Sequence, residues 1–138
     1  MVEIRLDTAR LIVRAIEQRA TELNLNVAMS VVDSGGNLLI FERMNGTQLA
    51  STTIAIGKAY TALAWQRPSG DLWPIAQPGQ GGYGINTIDQ RFVLSAGGLP
   101  IQIDGQTMAG VGVSGGTAEQ DRDCAEAGLA AMEQAETR

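Results

Sequence analysis

The stretch AGVGVSGGTAEQD at residues 109–121 decides the fold, because it has the pattern of a β-strand that runs directly into a helix. Side chains alternate along a strand, so Val111 and Val113 point to one face and Gly110, Gly112 and Ser114 point to the other. A glycine inside a strand packs nothing and costs stability, so a glycine face indicates close approach by another element or by a ligand. Either a helix of small residues packs tightly on this face, or a ligand lies there.

The residues after this strand predict the start of a helix. Gly115 and Gly116 end the strand, Thr117 suits the N-cap position, and Gln120 three residues later completes a capping box. The helix should continue to about residue 135, and the free amides of its first turn would suit an anion.

The composition is that of an ordinary globular protein, and we expect residues 1–138 to form one domain. The net charge is −5 and there is no basic run, so a nucleic-acid partner is not expected. No apolar run is long enough to span a membrane, and the first residues lack a hydrophobic signal region. The one cysteine, Cys124, excludes an internal disulfide and favours a cytoplasmic location.

The chain contains no histidine. It therefore lacks the commonest general base near neutral pH and the commonest nitrogen ligand of metals. A Ser-His-Asp or Cys-His arrangement within one chain is excluded, and a zinc site is not expected. Any acid–base chemistry must come from Asp, Glu, Lys, Tyr or Cys.

Hydrophobic periodicity predicts three helices and five strands, which together indicate an α/β (α+β) fold. The predicted helices cover residues 7–23, 49–65 and 117–135. The predicted strands cover residues 27–33, 38–44, 92–95, 100–103 and 108–114. The segments SGGN at 34–37 and DG at 104–105 are typical of hairpin turns, which favour antiparallel pairing.

Lys58 is the most unusual residue of the second predicted helix, which is apolar all round. Such a helix is usually covered on both sides, so we expect a second subunit to provide one cover. No carboxylate lies one helical turn from Lys58, so its amine must reach solvent, meet an acid from another element or bind an anionic ligand. Asp121 lies on the packing face of the last helix, where it either stabilises the helix start or pairs with a buried cation, for which Lys58 and Arg43 are candidates.

A long glycine-rich segment covers residues 77–91. Long loops in compact domains tend to be functional or mobile. Tyr83 and Arg91 are the candidate ligand contacts of this segment.

Four blocks of sequence, in this order along the chain, resemble the GlcG/HbpS-like family, also called the heme-degrading domain or PduO C-terminal-like family. They are VVDSGGNL at 31–38, FERMNG at 41–46, KAYTA at 58–62, and GGLPI at 97–101 with GVGVSG at 110–115. The resemblance implies a profilin-like α/β sandwich, in which a central antiparallel five-stranded sheet has helices on both faces. It implies assembly as a dimer, tetramer or octamer. It also implies binding of heme or a corrinoid, in a role accessory to a catabolic pathway. Asn45 departs from the family, which often has Asp there.

Three functions follow from these observations. The resemblance implies a small-molecule-binding protein of the heme or corrinoid type, in which Tyr, Met or Cys would have to ligate iron. The second is a cofactor-free isomerase, hydratase or lyase that acts on a small anionic metabolite. The third is a structural or accessory oligomer.

In the enzyme hypothesis, Arg43 and Lys58 hold a carboxylate, and a buried carboxyl with a raised pKa carries the proton. Backbone amides near the glycines form an oxyanion cradle. The candidate catalytic residues are Lys58, Asp33 and Asp121. The candidate ligand-binding residues are Arg43, Asn45, Lys58, Thr61, Tyr83, Gly97, Gly98, Ser114 and Gly115. No metal ligand is predicted.

Overall fold

The computed structural model describes residues 3–136. In chain order its elements are α1 (Leu6–Glu22), β1 (Ala28–Val32), β2 (Leu38–Arg43), α2 (Ala50–Trp65), β3 (Gly98–Ile103), β4 (Gln106–Ser114) and α3 (Ala118–Glu136). Three short 3-10 turns lie between α2 and β3, at Ser69–Leu72, Pro74–Ala76 and Ile85–Thr87.

The four strands found in residues 3–136 form one antiparallel sheet in the order β2-β1-β4-β3. Alternation along β4 separates its two faces. Val111 and Val113 enter the core shared with α1 and α3, whereas Gly110 and Gly112 lie against α2. The mixed α/β architecture, with helices on both faces of one antiparallel sheet, is therefore confirmed.

The fifth strand, predicted at residues 92–95, is wrong. This segment runs as irregular chain across α2, and Val93 donates its backbone N–H to Thr61 Oγ1 at 2.8 Å instead of to a neighbouring strand. Leu94 packs with Leu72 in a small second core. The short apolar run has the composition of a strand, but its packing partner is a helix.

Helix α2 packs directly on the glycine face of β4. A Cβ added at Gly110 would overlap the carbonyl oxygen of Ala59, and one added at Gly112 would overlap that of Ala55. On β1, the Ser30 hydroxyl donates to the same Ala55 oxygen at 3.0 Å. Of the two interpretations of the glycine face, close packing of a small-residue helix is the one that the structure shows.

The main core lies between the sheet and the α1–α3 pair. The two helices approach closely at Gly128, where an added Cβ would lie 2.8 Å from Ile12 and 2.9 Å from Ile16. Burial of each large apolar side chain here stabilises the fold by about 1.5–3 kcal/mol. The largest fully buried side chains of this core are Ile12, Val13, Ile16, Val27, Met29, Val31, Ile101, Val111 and Val113.

The predicted capping box at the start of α3 is confirmed. The Gln120 N–H donates to Thr117 Oγ1 at 3.2 Å, and the Thr117 N–H donates to Gln120 Oε1 at 2.9 Å. These two bonds satisfy backbone donors that the first helical turn would otherwise leave free. None of the helices in residues 3–136 has the length and apolar character needed to cross a membrane.

Candidate functional site: a buried ion pair in an open cleft

Lys58 and Asp121 form a buried ion pair that joins α2 to the first turn of α3. Lys58 Nζ lies 2.9 Å from Asp121 Oδ2, and the two side chains are only 3% and 4% exposed. Lys58 Nζ also donates to the Val113 carbonyl at 2.9 Å, and Asp121 Oδ1 accepts the Gly116 N–H at 2.8 Å. Lys58 thus meets an acid from another element, and the cation beside Asp121 is Lys58 rather than Arg43.

The environment of the pair penalises either charge alone. Burial raises the pKa of the Asp121 carboxyl above its ordinary value, whereas Lys58 and the backbone amides of Gly116 and Gly115 act in the opposite direction. Removing a charge from water costs several kcal/mol unless a partner and hydrogen bonds compensate for it. Each member of the pair therefore depends on the other.

The pair lines an open cleft of about 280 Å³, which we call the ion-pair cleft. Four predicted site residues meet in it, namely Lys58, Ser114, Gly115 and Asp121. The Ser114 hydroxyl donates to Ser51 Oγ at 3.2 Å, and both serines are buried. The lining residues are Gln48, Ser51, Ile54, Lys58, Ser95, Ser114, Gly115, Gly116, Ala118 and Asp121.

Two predicted glycines lie directly behind the ion pair. At Gly97 the backbone φ is +126°, and an added Cβ would lie 2.9 Å from both Lys58 Nζ and Asp121 Cβ. A Cβ at Gly98 would overlap the Lys58 carbonyl oxygen, and the Gly98 N–H already donates to Ser69 Oγ at 2.9 Å. The two residues allow close packing around Lys58, and the Gly98 amide is occupied by a serine.

The structure places four other predicted residues outside the lining of this cleft. Asp33 shapes the β1–β2 turn by accepting two backbone N–H groups on Oδ1, at 3.0 and 2.9 Å. Arg43 is exposed at the end of the edge strand β2, and Asn45 is exposed in the turn that follows. Thr61 is buried in α2, where its hydroxyl donates to the Gly57 carbonyl at 2.7 Å.

Tyr83 lines a different depression of about 410 Å³, which we call the aromatic groove. Tyr83 is 68% exposed and Trp73, on the same groove, is 58% exposed. The groove is lined by Trp73, Ala76, Gln77, Pro78, Tyr83, Asn86, Phe92, Val93 and Leu94. Trp73 also lines an apolar shelf of about 360 Å³, together with Gly70, Ser95, Ala96 and Ala118. The apolar shelf shares Ser95 and Ala118 with the ion-pair cleft and Trp73 with the aromatic groove, so it lies between the other two depressions.

Sequence reasoning missed Ser51 and Trp73. Ser51 lies seven residues before Lys58, on the same face of α2, so helical spacing could have placed it in the cleft. No pattern in the neighbouring sequence predicts that Trp73 is exposed. Within residues 3–136, no group of three or more His, Cys, Asp or Glu side chains is placed to hold a metal ion.

Fold and site together define an α/β domain with one antiparallel sheet and an open cleft where α2 and α3 meet the end of β4. The chain belongs to the family described as "Haem degrading protein HbpS-like", whose model matches residues 4–130. It is 42% identical over 127 residues to an "Uncharacterized 15.0 kDa protein in dhaT-dhaS intergenic region" of Citrobacter freundii, covering 91% of this chain and 89% of that protein.

Two further comparisons involve PduO. The chain is 38% identical over 120 residues to the corrinoid adenosyltransferase PduO of Citrobacter freundii, covering 86% of this chain but only 36% of that enzyme. Its fold is similar to the crystal structure of a PduOC:heme complex, with a TM-score of 0.91 and 34% identity, covering 94% of this chain and 95% of that one.

Proposed function

We propose that this protein binds a tetrapyrrole, heme or a corrinoid, in a role accessory to a catabolic pathway. The proposal is supported by the similarity of nearly the whole chain to a PduOC:heme complex and to part of a corrinoid adenosyltransferase. Heme and the corrinoid are the ligands named for those similar proteins. The physical support in this chain is the aromatic groove.

The exposed rings of Trp73 and Tyr83 carry the proposal. Both line the aromatic groove, and large apolar side chains grouped at a surface commonly mark a ligand or partner site. A planar macrocycle could stack on these rings, and aromatic pairs add about 0.5–1.5 kcal/mol beyond the burial of their area. The apolar shelf beyond Trp73 extends the surface available to a ligand larger than the groove.

Among the side chains that could ligate iron, Tyr83 fits this location. Cys124 is fully buried, and burial raises the pKa of its thiol to about 11, so it remains protonated. Met29, Met108 and Met132 are buried in the protein, and the partly buried Met44 packs against the main core, where its sulfur accepts the Val27 N–H at 3.4 Å. The Tyr83 phenol is exposed, lines the aromatic groove and makes no hydrogen bond to any residue from 3 to 136. Bound heme would supply a ferric Lewis acid, and Tyr83 is the residue of this groove that would hold the iron.

Titration with hemin tests the proposal. We expect a saturable Soret band with one hemin per chain, and a parallel titration with hydroxocobalamin distinguishes heme from corrinoid binding. Trp73→Ala should weaken hemin binding by up to about tenfold, because a stacking partner is lost. Tyr83→Phe should remove the phenolate-to-iron charge-transfer band.

Tyr60→Phe is the matched control for Tyr83→Phe. Tyr60 lies beneath the Arg91 guanidinium and against Phe92, and it does not line the aromatic groove. Its variant should have the hemin spectrum of the parent protein. If neither hemin nor hydroxocobalamin binds, the proposed function is wrong. If hemin binds but Tyr83→Phe and Tyr60→Phe have the same spectrum, the iron ligand has been assigned incorrectly.

We also propose that the protein forms a homo-oligomer. Leu49, just before α2, is 81% exposed, and Leu38 on the edge strand β2 is 50% exposed. The sheet covers one side of α2, and part of the other side contacts Val93 at Gly57. The exposed leucines leave apolar surface that a second copy could bury. Sedimentation equilibrium measures the assembly, and a monomer at all concentrations would contradict it.

A further inference from the structure

The polar side chains around the ion-pair cleft leave two hydrogen-bond donors without an acceptor. A lysine ammonium has three N–H donors, and Lys58 uses two of them, on Val113 O and Asp121 Oδ2. Ser51 and Ser114 share one hydrogen bond, so the second hydroxyl proton of this pair has no acceptor among residues 3–136. Two donor hydrogens on buried side chains are thus left at the same cleft.

Each oxygen of the nearby Asp121 carboxylate already accepts a hydrogen bond. Asp121 Oδ2 accepts from Lys58, and Asp121 Oδ1 accepts the Gly116 N–H. The charge of Lys58 is balanced by Asp121, so the cleft is neutral before a ligand arrives. The N-terminus of α3, whose first residue Ala118 lines the cleft, adds the positive end of a helix dipole. A ligand that completes this network must bring acceptor oxygens.

From these two unused donors on buried side chains, we propose that the ion-pair cleft binds the carboxylate of a small organic acid. One carboxylate has two acceptor oxygens, which match the remaining Lys58 N–H and the serine hydroxyl. A monoanion also suits a site whose lysine is already paired with one carboxylate, whereas a dianion would be repelled more strongly by Asp121. The volume of about 280 Å³ suits a small molecule rather than a macrocycle. This site lies apart from the aromatic groove, and the inference does not rest on tetrapyrrole binding.

An NMR titration of the ¹⁵N-labelled full chain tests the proposal, with sodium acetate as the probe and acetamide as its neutral analogue. Sodium chloride keeps the ionic strength constant. Acetate should give saturable shifts centred on the amides of Ser51, Gly115, Gly116 and Ala118, and acetamide should bind at least about tenfold more weakly. Equal binding of acetamide, or shifts spread over the whole surface, would overturn the proposal.

Two variants locate the donors. Ser51→Ala should weaken acetate binding about tenfold, because a hydrogen bond to a charged group is lost. Thr53→Ala is the matched control, since Thr53 is exposed on the same helix and does not line the cleft. The double variant Lys58→Met with Asp121→Asn removes the ion pair without leaving one charge alone, and it should abolish saturable binding. Acetate binding that is unchanged in Ser51→Ala or in the double variant would overturn the assignment.

Repeating the acetate titration in the presence of hemin identifies the source of the carboxylate. If the ligand is a free small acid, acetate should bind equally well with and without hemin. Competition between acetate and hemin would assign the carboxylate to a side chain of the tetrapyrrole, and would overturn the proposal of a separate ligand. Should hemin fail to bind at all, the acetate titration remains decisive for this site.

Discussion

Replacing Lys58 with Met should destabilise the protein by about 3–5 kcal/mol, because it leaves Asp121 buried without its counter-ion. The Val113 carbonyl also loses the donor that lies 2.9 Å away. Domains of this size have a free energy of unfolding of about 5–15 kcal/mol. The variant should therefore be measurably less stable, and it should remain folded unless the parent protein lies near the lower end of that range.

Asp121→Asn should be destabilising for the complementary reason. It leaves the Lys58 ammonium buried and unpaired, although the amide oxygen of Asn can still accept the Gly116 N–H. In the double variant neither charge is alone. Its cost should therefore be at least about 1.5 kcal/mol less than the sum of the two single costs, within the range of coupling energies for groups in contact.

Urea unfolding followed by far-UV circular dichroism measures these costs. With a slope of about 1–3 kcal/mol/M, a loss of 3 kcal/mol moves the midpoint by about 1–3 M. Arg122→Met is the control, because Arg122 is 44% exposed and its contact with Glu126 at 3.4 Å is a surface pair. Such pairs contribute about 0–1 kcal/mol. The reasoning is refuted if Lys58→Met costs no more than Arg122→Met, or if the two single costs add in the double variant.

Three other predictions test separate parts of the structure. Gly110→Ala should cost about 1–3 kcal/mol or more in urea unfolding, because its Cβ would overlap a carbonyl of α2, whereas Gly81→Ala, with open space around it, should change little. The buried Cys124 thiol, whose pKa burial raises to about 11, should react with a disulfide reagent only after unfolding; rapid reaction of the native protein would contradict its burial. The Arg19 guanidinium lowers the pKa of Asp123 below 3.8, so the stability lost in Asp123→Asn should be present at neutral pH and should disappear as the pH falls well below 3.8; a loss that grew on acidification would have the wrong sign.

The helices and four of the strands could be predicted because their signals are local. Periodicity, the capping box at Thr117 and the turn residues around Asp33 all depend on a few neighbouring side chains. The predicted strand at residues 92–95 was wrong because a short apolar run does not reveal what it packs on. Its backbone bonds to the hydroxyl of Thr61, which is 32 residues away from Val93 in the sequence.

The part of the candidate site that the sequence could predict is the ion pair, because a buried charge requires a partner. A lysine among apolar neighbours needs a partner, and Asp121 on a packing face needs a cation, so the sequence could name the pair across 63 residues. It could not choose between Lys58 and Arg43, because that choice depends on the strand order, which places Arg43 on the edge strand β2 with β1 between it and β4. The aromatic groove depends on how residues 73–94 fold back on one another, and no local pattern encodes that arrangement.

The glycine face and the ion pair are two consequences of one close contact. Because Gly110 and Gly112 have no side chains, α2 rests directly on β4, with its carbonyls where Cβ atoms would otherwise lie. At this short separation Lys58, a residue of α2, reaches both the Val113 carbonyl and the carboxylate of Asp121 on α3. A helix held further from the sheet by alanines would draw the amine away from both acceptors. The residues that decide the fold therefore also decide the position of the charged pair, and a substitution on the glycine face should disturb the cleft even though no glycine of that face lines it.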